Sequence, residues 1–319
     1  MADATPSPTA PIGKKPMSNL TQRILYGVLG AVVLLFCIWY SAWTFAVFFG
    51  LVQMRMLWEF YRMMRKAGYK PAALLGGGIS LMLFGAIYLV ADAHHYTASH
   101  INTEAVETIE QFRARFQAFR IGKIAQNVLL SLAILLPTIL ILREMYSWPR
   151  ENKLAPFANV GVALLGLLYV SLPMSLLNVL AFSDNGYDYR RIFGLLLLVW
   201  CSDIGAYAAG KTFGKHKLAL KISPGKTWEG AAGGFLLTLV MGWALVFLLP
   251  EMPLTTRLVA AAIVAVFGPL GDLAESMLKR SVDVKDSGRI MPGHGGLLDR
   301  FDAFLFVVPV LVVVQLLFG

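Results

Sequence analysis

Ser276-Met277-Leu278-Lys279-Arg280-Ser281-Val282-Asp283-Val284-Lys285-Asp286-Ser287-Gly288-Arg289-Ile290-Met291-Pro292-Gly293-His294-Gly295-Gly296-Leu297-Leu298-Asp299-Arg300-Phe301-Asp302 is a polar hinge between apolar stretches at 256–277 and 301–318. Each stretch is long enough to cross a ~30 Å hydrocarbon core as a helix. The chain is 57% hydrophobic and only 15% charged, whereas soluble domains carry ~25% charged residues. The fold class that follows is all-α, a polytopic integral membrane protein. Further apolar segments at 23–41, 43–61, 72–92, 126–144, 157–182, 190–210 and 229–249 bring the expected number of spans to nine.

Residues 1–22 are rich in Pro, Ala, Ser and Thr and read as a disordered cytoplasmic tail. Residues 23–182 form the N-terminal membrane helices, whose loops hold little convergent chemistry, and residues 183–319 the C-terminal catalytic membrane part. With the N-terminus inside, the loops bearing Arg62, Arg65 and Lys66, then Arg143, Arg150 and Lys153, then Lys211 to Lys226, then Lys279 to Arg300 are all cytoplasmic, as the positive-inside rule expects. The net charge of +9 borders apolar spans, so anionic lipid headgroups or nucleotide phosphates are its partners and nucleic acid is not. Cys37 and Cys201 fall in separate apolar segments, which gives no basis for a disulfide or a thiolate metal site. Residues 93–126 read as an outer loop with a short amphipathic helix carrying Phe112, Phe116 and Phe119. His94, His95 and His100 lie close together there, but none is at i, i+4 from another, so a solvated loop is preferred over a zinc site.

The hinge alternates acids (Asp283, Asp286, Asp299, Asp302) with bases (Lys279, Arg280, Lys285, Arg289, Arg300). That mixture suits a site holding both a divalent cation and the phosphates it bridges. Pro292-Gly293-His294-Gly295-Gly296 reads as a tight loop into the next helix. Asp299 and Asp302 are three apart at the start of that helix and share a face. Upstream, Asp203 lies inside an apolar segment and Asp272 near the end of another. Ionisable groups at membrane depth are costly and mark function. Two such carboxylates, with Asp299 and Asp302 entering the following helix from the same side, point to one shared metal centre.

A second loop, Lys211 to Glu229, carries five lysines with no acid between Asp203 and Glu229, which attracts polyphosphate. Ser223, Lys226 and Thr227 add hydroxyl and ammonium groups at the start of the next helix, where anions are favoured. Gly205 to Thr212 matches the Walker A pattern letter for letter. That motif requires a strand–loop–helix context, whereas here it continues an apolar helix, so close helix packing through small residues is the better reading.

The run Ser276, Lys279, Arg280, Lys285, Asp286, His294, Gly295, Gly296, Asp299, Arg300 and Asp302 resembles the S-x-x-K-R…K-D…H-G-G…D-R-x-D pattern of the phosphatidate cytidylyltransferases, the CDP-diacylglycerol synthases. Residues from Asp203 to Gly230 and Gly271-Asp272 are similar to that family as well. The resemblance implies transfer of CMP from CTP to phosphatidate with Mg2+, with room for a second divalent or a monovalent cation. It also implies a homodimer in the cell inner membrane with its site facing the cytoplasm. On this reading Asp272, Asp299, Asp286 and Lys285 are catalytic. Lys226, Ser223, Thr227, Lys279, Arg280, Arg300 and His294 bind phosphates, and Asp272, Asp299, Asp302 and Asp203 hold metal. Two alternatives are a CTP-dependent polyprenol or phytol kinase and, from another class, an ion-coupled transporter. The transporter would place polar groups through several spans.

Asp299→Asn is expected to abolish CDP-diacylglycerol formation while the protein remains inserted, checked by turnover and membrane fractionation.

Overall fold

The computed structural model describes residues 19–98, 109–147, 156–288 and 295–318. The chain is helical almost throughout: α1 (Asn19–Tyr40), α2 (Ala42–Lys66), α3 (Ala73–Ala98), α4 (Ile109–Tyr146), α5 (Pro156–Gly166), α6 (Leu172–Ala181), α7 (Tyr189–Phe213), α8 (Trp228–Ala244), α9 (Leu254–Ser281) and α10 (Leu298–Phe318). A π turn, Leu167–Ser171, joins α5 to α6 as one run. It lies just ahead of Pro173, whose missing amide interrupts the i→i−4 register. Two short antiparallel hairpins interrupt the helices: β1 (Phe182–Ser183) with β2 (Gly186–Tyr187), and β3 (Lys217–Ala219) with β4 (Ser223–Thr227).

Each of the nine apolar segments coincides, apart from its ends, with a helix or helical run. By length and composition, seven helices among the described residues are able to cross a membrane. In α1 the apolar part is shorter, Tyr26–Tyr40, and α2 carries Gln53, Arg55 and Glu59 within its length. Of the tail expected at 1–22, residues 1–18 lie outside the described residues, and the remainder belongs to the start of α1.

Of the outer loop expected at 93–126, the described residues are helical. On one side α3 runs on to Ala98, and on the other α4 is a single 38-residue helix starting at Ile109. Phe116 and Phe119 are exposed on that continuous helix rather than on a separate interfacial one. At 1.5 Å per residue α4 is about 57 Å long, well beyond a ~30 Å core. Polar Arg113, Arg115 and Arg120 hid its length, because they break the apolar run without breaking the helix. His94 and His95 lie in α3, and His100 lies outside the described residues.

The core runs through α2, α3, α6, α7, α9 and α10, with Phe45, Phe49, Met56, Phe60, Met174, Leu177 and Ile192 fully buried. Polar groups in the first half satisfy one another. Gln53 Nε2 donates to Ser80 O (2.9 Å) and Oγ (2.8 Å), Ser171 Oγ to Ser80 Oγ (2.8 Å), and Ser175 Oγ to Gln53 Oε1 (3.0 Å). Unsatisfied, such groups are expensive where no water reaches.

Small residues set the packing of α7 on α8. A Cβ added at Gly205 would lie 2.8 Å from Gly233 O and 3.0 Å from Gly234 Cα, and one at Gly234 would lie 2.8 Å from Ser202 O. Gly205 to Thr212 is thus wholly inside α7, and its glycines serve helix contact rather than a phosphate loop. Gly205→Leu is expected to destabilise the bundle by about 1–3 kcal/mol, seen as a lower thermal unfolding midpoint in detergent. Gly225→Leu, whose Cβ meets open space, is expected to leave the midpoint unchanged.

Candidate active site

The site is assembled where α9 ends and α10 begins. Asp272 and Glu275 are three apart and therefore lie on one side of α9. Gly271 lets α10 approach that side: a Cβ there would sit 2.6 Å from Asp302 O and 3.1 Å from Ala303 Cα. The approach places one carboxylate oxygen from each of Asp272, Glu275 and Asp302 within 4.8 Å of one another. Ser276 Oγ donates to Asp272 Oδ1 (3.2 Å), orienting that carboxylate. Asp203 of α7 feels the charges of Asp272, Lys226 and Arg300, and Asp302 feels those of Asp272, Asp203 and Lys226. Carboxylates of α9 and α10 therefore converge, with Asp203 of α7 within electrostatic reach.

Cations face them. Lys226, at the end of β4, pairs with Asp272 Oδ2 at 2.7 Å and donates to Pro269 O at 3.1 Å. Lys279 pairs with Glu275 and with Asp299, the latter at 2.8 Å. Glu275 is fully buried and shares Lys279 with the neighbouring Asp299 carboxyl. Three carboxylate ligands, one of them fully buried, fit a hard divalent cation, which takes oxygen donors and keeps further positions for water and phosphate.

Asp299 and Asp302 start on one helix but meet different neighbours, with Lys279 linking Asp299 to Glu275. Asp302 joins Asp272, while Asp299 organises the loop before α10. Its carboxylate accepts from Lys279 Nζ, from Ser287 N (3.1 Å) and Oγ (3.0 Å), and from Gly296 N (2.7 Å). Gly295 adopts φ +80° beside it, a left-handed turn that glycine takes without strain.

The other sequence candidates are spread around this core. Thr227 is buried and its Oγ1 caps α8 through Gly230 N (3.1 Å), while Ser223 opens β4 opposite Ala219. In this structure Thr227 is thus committed to the helix start. Lys285 and Asp286 are exposed and line a recess with Arg62 and Lys66 of α2. Arg280 ends α9 in an exposed position, Arg300 is exposed on α10, and His294 lies outside the described residues. Of the five lysines in the second loop, Lys211, Lys215, Lys217 and Lys221 are exposed and Lys226 alone reaches the acids. Glu229 holds the turn into β3, accepting from Lys215 N (3.1 Å) and His216 N (3.2 Å).

The first half was expected to hold little convergent chemistry, and Glu59 of α2 corrects that. It is fully buried, pairs with Arg55 (3.3 Å), and accepts from Ser287 Oγ (3.2 Å) and Leu298 N (3.0 Å). One carboxylate thus caps α10 and clamps the loop that Asp299 holds from its other side. Gly288 and Gly296 have no room for a Cβ because Glu59 fills that space.

Comparison with known proteins decides the family. A family model described as "Cytidylyltransferase family" matches residues 21–318. The chain belongs to the cytidylyltransferase family. It is similar to the phosphatidate cytidylyltransferase of Bacillus subtilis (strain 168), 35% identical over 305 residues covering 95% of this chain and 100% of the relative. It is also similar to that of Staphylococcus haemolyticus (strain JCSC1435), 36% identical over 245 residues covering 75% of this chain and 90% of the relative. The protein is a nucleotidyltransferase built into a membrane-helix bundle.

Two residues of this candidate site escaped the sequence candidates. Glu275 was signalled by its i, i+3 spacing from Asp272; Glu59, 228 residues from Ser287, had only its position within the apolar segment 43–61 as a signal. Glu59→Ala is expected to leave Ser287 Oγ and the Leu298 amide without an acceptor, costing about 3 kcal/mol of stability. Turnover is expected to fall as well, read by thermal unfolding and initial rates on the same preparation.

Proposed function

We propose that this enzyme transfers CMP from CTP to phosphatidate, giving CDP-diacylglycerol and pyrophosphate. The observation that carries the proposal is the cluster of Asp272, Glu275 and Asp302 with Lys226 and Lys279 against it, at the end of a membrane-helix bundle where a lipid headgroup and a soluble nucleotide meet. The relatives' names support the same reaction.

A phosphatidate oxygen attacks the α-phosphorus of CTP in line, the bond to the bridging oxygen of the β-phosphate breaks, and pyrophosphate departs with that electron pair. Two polyanions must approach, so catalysis is mainly positioning and charge neutralisation. Asp272, Glu275 and Asp302, with Asp203 beside them, would hold Mg2+, which when bound supplies charge for the phosphate oxygens and a template for alignment. Lys226 and Lys279 contribute positive charge at each side of the acids, and Lys279 is kept in place by Glu275 and Asp299. Asp299 acts on this reading chiefly by holding Ser287 and the Gly296 amide, with direct metal contact open to it once Lys279 moves to phosphate. Arg280, Arg300, Lys285 and His294 would complete the phosphate-binding surface. No general base is required, because a phosphate monoester is already largely ionised near neutral pH, its second pKa being about 6.

The enzyme would sit in the bacterial inner membrane with this end of the bundle toward the cytoplasm, where the exposed lysines of the β3–β4 hairpin follow the positive-inside rule, and it would work as a homodimer. Neither the lipid-kinase nor the transporter reading is favoured by the comparisons.

Incubation with labelled CTP and Mg2+ is expected to give labelled CDP-diacylglycerol and pyrophosphate from phosphatidate, and no phosphorylated product from a polyprenol. Asp272→Asn and Asp302→Asn are expected to lower the rate about a hundredfold to a thousandfold. A phosphorylated alcohol as sole product, or full activity in both variants, overturns the proposal.

A further inference from the structure

At the end of the bundle away from the acids is a cavity of about 520 Å³ lined by the starts of α7 and α9 and the end of α10. Its wall is mainly apolar, including Leu195, Leu249, Leu311 and Phe318, and two arginines, Arg191 and Arg257, complete it. Arg257 is only 6% exposed. Its Nη1 reaches Trp243 O at 3.5 Å and its Nε has no partner. Arg191 donates to Phe182 O at 3.1 Å. Among the described residues neither guanidinium pairs with a carboxylate, and the nearby acids Asp188 and Glu251 are both engaged by Arg190.

A cation buried in an apolar wall without a counter-ion is costly. The amino ends of α7 and α9 add positive dipole at the same place, so what is missing is a negative charge carried by a largely apolar molecule. Along α9, Arg257 is about 22 Å from Asp272 at 1.5 Å per residue, which sets this cavity in the opposite half of a ~30 Å bilayer. We propose that it binds an anionic phospholipid of the leaflet opposite the catalytic cluster, with the phosphodiester against Arg191 and Arg257 and an acyl chain along the leucines. The site is separate from the one that takes phosphatidate, and its readout is lipid retention rather than turnover. Failure here leaves the catalytic reading untouched.

The test uses the full-length protein, delipidated in neutral detergent. Separate titrations with phosphatidylglycerol and phosphatidylcholine are followed by native mass spectrometry, and a third arm adds inorganic phosphate as competitor. Phosphatidylglycerol is expected to be retained about tenfold more tightly than phosphatidylcholine. That preference should be lost in Arg257→Gln and Arg191→Gln. Thr256→Trp fills the cavity from an exposed lining position and keeps both arginines, so it is expected to weaken phosphatidylglycerol binding even if Arg257→Gln fails to fold. Equal retention of the two lipids overturns the proposal, as does unchanged binding in Arg191→Gln and Thr256→Trp. Displacement by millimolar phosphate also overturns it and marks the cavity as a small-anion site.

Discussion

The close crossing of α9 and α10 at Gly271 is the constraint on which the site depends. Carboxylates repel one another and resist burial, so they will not gather unless the backbone brings them together and cations offset their charge. Gly271 removes the side chain that would keep the helices apart, and Lys226 and Lys279 supply the charge. Without that contact Asp272 and Glu275 would face one helix and Asp302 another, and no group of three oxygens would exist.

Two layers of support surround this contact. On one side Glu59 and Asp299 grip Ser287 and the amides of Gly296 and Leu298, so that the first residues of α10 are held in one register. On the other, the β3–β4 hairpin is held by Glu229 on the turn that follows α7 and by Thr227 on the first turn of α8, which delivers Lys226 to Asp272. The α7–α8 pair, packed through Gly205, Gly233 and Gly234, carries both that hairpin and Asp203. The first half of the chain is thus not a passive anchor, since α2 reaches into the loop that shapes the catalytic end.

Much of this was readable from residues alone, because apolar length and charge density are local properties. The helices at 157–182, 190–210, 229–249, 256–277 and 301–318 follow from runs of apolar residues, and the hinge between the last two was marked by its charges. Asp203 and Asp272 stood out as acids at membrane depth, and Asp302 as one of a pair of acids opening the last helix. Residues 93–126 did not give themselves away, since a helix that continues past the hydrocarbon core carries Arg and Gln like a loop does. Glu59 was hidden for another reason: its partners, Ser287 and Leu298, are distant in the chain, and nothing near residue 59 refers to them.

Asp299 and Asp302 show where local reading ends. Spacing places them on one side of a helix start, and that is as much as periodicity can say. Which neighbour each meets depends on how α10 lies against α9 and on where Ser287 comes to lie, and these are long-range contacts. The order of helices, the charged hinge and the acids and cations from which the proposed site is drawn were therefore determined by the sequence itself. The division of labour, with Glu275 joining Asp272 and Asp302 while Asp299 and Glu59 hold the loop, was decided only by the tertiary structure, because it arises from distances between segments that no residue pattern within one segment encodes.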